Sequence, residues 1–145
     1  MLQNIELIFT DMELMMRKLK KLSYEANMKR FREEQGHFID EMVGYVKESE
    51  NKDEAVSEVS KAFADGVFDA FNKNGKISGR KQADMNFFMI YYVFPAILLT
   101  EDESAGKICD GVRDAWNKKF KDTNINYTTY EKLHSTFRNK ILGLF

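Results

Sequence analysis

The sequence predicts an all-α protein, a compact bundle of about six helices around a central hydrophobic helix. Three observations lead there. Residues 87–99, FFMIYYVFPAILL, run without a single charge, and a helix that is apolar on every side has to be buried on every side. Almost every other periodic stretch repeats its apolar residues at spacings of three and four, the helical period. The chain also has one proline and eight glycines, and no Asn-Gly or Asp-Gly pair stands between two alternating runs, so hairpins are not expected.

Composition bounds the class. At 145 residues the chain has the size of one domain, 1–145, with enough length to bury a core without metals or disulfides. A net charge of −1 supplies no field to draw it onto nucleic acid or an anionic membrane surface. The single cysteine, Cys109, suits a reducing compartment. Acidic residues scattered through the N-terminal stripe argue against a signal peptide. The uncharged run covers only about 20 Å as a helix, against a hydrocarbon core of ~30 Å. The expectation is a cytoplasmic protein with no membrane span.

The first helix carries Leu2, Ile5, Phe9, Met12, Met16 and Leu19 on one face, with lysines and Arg17 near its C-terminal end, where they complement the helix dipole. A turn is expected between Ser23 and Asn27, the alternative being one helix continuing to about Lys47. The second stripe is Phe31, Phe38, Met42 and Tyr45. A polar run follows, and Asp53 is placed to cap the third helix, whose face is Val56, Val59, Phe63, Val67 and Phe71. Gly75 suits the left-handed position that ends it. The surrounding NKNG segment echoes a calcium loop, but that alignment puts Ala70 first and Lys81 last, where acidic ligands are required.

Ser78 is placed to cap the central helix, 79–99. Pro95 lacks an N–H and crowds the preceding turn, which predicts a kink or break around Phe94. Thr100 and Glu103 have the spacing of a capping box for a helix with Ala105, Ile108, Cys109, Val112, Trp116 and Phe120 on one side. Cys109 lies within that stripe and reads as a core thiol. A second capping box, Thr128 with Glu131, opens a last helix bearing Tyr130, Leu133, Phe137 and Ile141. Gly143 follows as its C-cap, and Leu144 and Phe145 are expected to fold back onto the bundle.

Chemistry is sparse. No phosphate-binding glycine loop is present, no catalytic triad stands out, and the aromatics follow the apolar stripes and therefore read as core. One constellation remains. The two histidines each have a glutamate three residues earlier, Glu34 before His37 and Glu131 before His134. Each pair lies on one helix face. Two such pairs with lone carboxylates, for which Glu13 and Asp69 are the candidates, locally resemble the ligand pattern of ferritin-like di-iron bundles. The resemblance is confined to these residues, and it implies a di-iron or di-manganese centre as the alternative to no cofactor.

A non-catalytic protein acting by association is the leading expectation. Its contact would be a homodimer or a protein partner engaged through the first helix, in a first thirty residues where Met12, Met15, Met16 and Met28 suit an adaptable apolar surface. A further alternative is a pocket for a small hydrophobic ligand near Pro95.

Overall fold

The computed structural model describes residues 24–71 and 79–120. Among them there are five helices and no strand, so the all-α class stands; the full count of six belongs partly to residues beyond these. The first helix with its methionines, the Gly75 turn, the Ser78 cap and the last helix with its terminal Leu144 and Phe145 lie outside the described residues.

Helix α1 is Tyr24–Gln35 and α2 is His37–Glu48, so the expected second helix is two. The break falls at Gly36 (φ −77°, ψ 0°), whose carbonyl accepts the N–H groups of Ile39 and Asp40. A Cβ on Gly36 would stand 2.7 Å from the Arg32 carbonyl oxygen, closer than real side chains approach, so the turn requires glycine. The buried face of α2 is Phe38, Ile39, Met42, Val43 and Val46, while Tyr45, expected in the stripe, is 41% exposed. Tyr45 instead donates its hydroxyl to the Glu58 carboxylate, and that bond to an anion pushes the phenol pKa up.

Helix α3 is Lys52–Phe71. Its cap is Asn51 and not Asp53: Asn51 Oδ1 accepts the Glu54 N–H at 3.1 Å. Asp53 falls in the first turn, where its charge still complements the dipole. Val56, Val59, Phe63 and Val67 are buried as expected.

Helix α4 spans 79–99 in three abutting pieces: α-helix Gly79–Phe88, a π turn Met89–Val93 and α-helix Phe94–Leu99. Pro95 therefore does not break the helix. The irregularity sits one turn earlier, where the Phe94 N–H reaches back five residues to the Met89 carbonyl. The widened turn accommodates the donor that Pro95 lacks and leaves the proline at the start of the resumed segment, where no N–H is needed. The centre of α4 is deeply buried, with Met89, Val93, Phe94, Ala96 and Ile97 at 0% exposure. It is not buried all round, because Phe87 is 43% exposed and Ile90, Tyr91 and Leu98 are only partly covered. By length and composition Lys81–Leu99 is also apolar enough to cross a bilayer, with a mean hydropathy of 1.2, and 56% of it is buried in the protein.

Thr100 closes α4 and does not open the next helix. Its hydroxyl donates back to the Ile97 carbonyl at 2.6 Å. Glu101 then takes a left-handed conformation (φ 58°) and its N–H bonds the Leu98 carbonyl, a helix-ending turn usually given to glycine. Asp102 starts the next helix by accepting the Ser104 N–H at 2.9 Å and the Ser104 hydroxyl. Helix α5 follows as Ala105–Lys119, and its predicted stripe from Ala105 to Phe120 is buried throughout.

One contiguous apolar cluster joins all five helices. Phe31 of α1 meets Phe88 and Tyr92 of α4 edge-on at 5.5 and 5.9 Å. A second line of rings runs from Phe38 on α2 through Phe63 on α3 to Trp116 on α5. Trp116 is fully buried, and its indole N–H is satisfied by Asn86 Oδ1 at 2.8 Å. Arg32 donates to the Ala96 carbonyl at 2.8 Å, placing a cation at the C-terminal end of α4, where the dipole favours it.

Helices α3 and α5 lie parallel. Asp53 meets Lys107 at 3.3 Å near their starts, and Asp65 meets Lys119 at 3.1 Å towards their ends. Gly111 faces Ser60 and Val56 between these pairs. Helices that are parallel and adjacent need a long crossover, which here is α4.

Candidate functional site

Of the six candidate ligands, Glu13, Glu131 and His134 lie outside the described residues. The other three do not come together as a site. Glu34 is exposed near the end of α1 and forms an ion pair with Arg30 at 3.1 Å. His37 is exposed at the start of α2, and Gly36 separates it from Glu34, so the two do not share an uninterrupted helix. Asp69 is exposed near the end of α3. Among the described residues no three His, Cys, Asp or Glu side chains gather as a group able to hold a metal ion. Cys109 is fully buried, its thiol 3.8 Å from the Phe94 carbonyl oxygen. A core thiol so placed has neither the exposure nor the electropositive surroundings that activate a cysteine.

The ionisable groups with displaced pKa values have structural causes. Burial pushes the Tyr92 phenol up, while a hydrogen bond from Asn27 pulls the other way. Bonds from the Ser104 hydroxyl and N–H hold the Asp102 carboxyl below its ordinary value. Near the π turn, where a ligand pocket was expected, the polar group is Asn27. It is 8% exposed, its Oδ1 has no partner, and its amide serves Tyr92.

Two surface features stand out among the described residues. The first is the outer face of α4, where Phe87 stacks on Tyr91 with ring centroids 4.3 Å apart, flanked by Ile90 and Leu98. The second is a cleft of roughly 540 Å³ over the parallel pair α3 and α5. Small or apolar residues, Val56, Ala64, Gly111 and Ala115, are part of its lining, and the helices approach closely at Gly111. Ser60 lies in its wall, 2% exposed, with a hydroxyl that has no hydrogen-bond partner. Lysines and aspartates from both helices form the rim.

Sequence reasoning missed this cleft, although part of its signal was present. Ser57, Ser60, Ala64 and Gly111, Ala115 are small residues at spacings of three and four beside the apolar stripes. That pattern marks a close helix contact once the two helices are known to be neighbours. No family model, curated protein or solved structure matches this chain.

Proposed function

We propose that the protein is a single-domain, non-catalytic cytoplasmic protein that works by associating with a second copy of itself. The observation that carries this reading is Phe87, 43% exposed and stacked on Tyr91 on the outer side of a helix whose centre is in the core. Exposed aromatic anchors of this kind supply much of the energy at protein interfaces. Support for a non-catalytic role comes from the displaced groups Tyr45, Tyr92 and Asp102, each accounted for by burial or a local structural bond.

Sedimentation velocity of the full chain over a micromolar concentration range tests the reading. A dimer is expected, with Phe87→Ser and Met12→Ser/Met16→Ser each shifting it towards monomer at unchanged helical content. A wild-type monomer at every concentration refutes it. A protein that stays in solution only with detergent refutes the cytoplasmic assignment and makes 81–99 a bilayer helix.

A further inference from the structure

The cleft between α3 and α5 has a charge balance that its composition hides. Three aspartates and three lysines line it, which reads at first as neutral. Each aspartate, however, is already matched by a cation: Asp53 by Lys107 at 3.3 Å, Asp65 by Lys119 at 3.1 Å and Asp114 by Arg113 at 3.1 Å. Lys119 is held further by the face of Phe68, 4.8 Å from its ring centroid. That leaves Lys61 on α3 and Lys118 on α5, both exposed, as the lining charges without an ion-pair partner among the described residues.

Lys61 and Lys118 come from different helices and both line the cleft, as do Ala64 and Ala115. A volume of roughly 540 Å³ falls within the ordinary range for small-molecule sites, about 300–1,000 Å³. We propose that this cleft binds a small organic anion, its carboxylate or phosphate held between Lys61 and Lys118 and its apolar body resting on Ala64 and Ala115. Ammonium groups that line one cleft repel one another, and an anion that meets both replaces that repulsion with charge-assisted contacts. This site is separate from the Phe87 face and does not rest on self-association.

The test is calorimetric titration of the full-length protein with two probes, inorganic phosphate and octanoate. The expected result is saturable millimolar binding of one probe, with affinity falling at least about tenfold in Lys61→Gln and in Lys118→Gln, a loss of one charge-assisted contact. Both substitutions are at exposed positions, and circular dichroism confirms that the variants fold. Octanoate alone binding identifies a carboxylate with an apolar tail, and phosphate alone identifies a phosphate ester. Each supports the site if the lysine variants weaken it. Failure of both probes to saturate overturns the proposal, as does binding that is the same in wild type and both variants. Sedimentation of the two lysine variants as wild type keeps this outcome distinct from that of the dimer.

Discussion

Substituting Gly111 by alanine measures how closely α3 and α5 approach. The new Cβ would lie 2.5 Å from Ser60 Oγ, 2.9 Å from Val56 Cγ1 and 3.4 Å from Ser60 Cβ. Two effects oppose each other. Alanine is favoured over glycine inside a helix by about 1 kcal/mol, whereas forcing an atom into a filled contact costs ~1–3 kcal/mol. Val56 is β-branched and cannot rotate aside cheaply, so the clash should at least cancel the gain, with a net loss of about 0–2 kcal/mol. Gly44 provides the control, since nothing lies within 4 Å of a Cβ built there. Gly44→Ala is expected to stabilise by up to ~1 kcal/mol.

Ser60→Ala removes a buried hydroxyl without a partner and is expected to stabilise by about 1 kcal/mol. It also abolishes the 2.5 Å approach while leaving the 2.9 Å contact with Val56. The double variant should therefore recover part of the Gly111→Ala loss, a coupling of about 1 kcal/mol between the two sites. Urea unfolding followed by Trp116 fluorescence and far-UV circular dichroism resolves effects of this size, each equivalent to about 3 °C in Tm for a chain of this length. If Gly111→Ala stabilises as much as Gly44→Ala, or if the two substitutions add without coupling, the close contact does not exist.

Other expectations follow from single contacts. Arg32→Met should lower stability by about 1–2 kcal/mol in denaturant titration, because the Ala96 carbonyl loses a charged donor at a helix end. Glu101→Gly should raise Tm, by relieving a left-handed backbone at a cost of roughly 1 kcal/mol. Asp102 has its pKa lowered in the folded state, so its stabilisation is present above the unfolded carboxylate pKa and is lost as pH falls through the folded value. Asp102→Asn should therefore flatten the dependence of the urea midpoint on pH below about pH 4, and an unchanged acid slope counts against the cap.

The stripes of α3 and α5 were legible because burial repeats with the helix period, and Ala105 to Phe120 needed no tertiary information. The Gly36 break was not legible in that way. What demands glycine there is the carbonyl of Arg32, a backbone neighbour that no side-chain pattern reveals. Asn51 and Asp53 both have oxygens suited to capping, and only the path of the chain decides which one meets the Glu54 N–H. The same holds for Thr100, whose hydroxyl has carbonyls behind it and amides ahead. Pro95 announced a disturbance, but a widened turn and a broken helix satisfy the same missing donor. The cleft was invisible for a different reason: its walls come from helices whose adjacency is set by tertiary packing.

The parallel run of α3 and α5 has a consequence for the order of assembly. Asp53 and Lys107 are 54 residues apart in the chain, so their helices cannot meet by zipping a local hairpin. Each doubling of the loop to be closed adds about 0.6 kcal/mol of entropy cost, and chains dominated by distant contacts fold more slowly than those built from neighbouring helices. The α3–α5 seam should then close after the transition state, when α4 is already seated. Substitutions at Ser60 and Gly111 should accordingly alter the rate of unfolding far more than the rate of folding, so this seam governs how long the native protein persists.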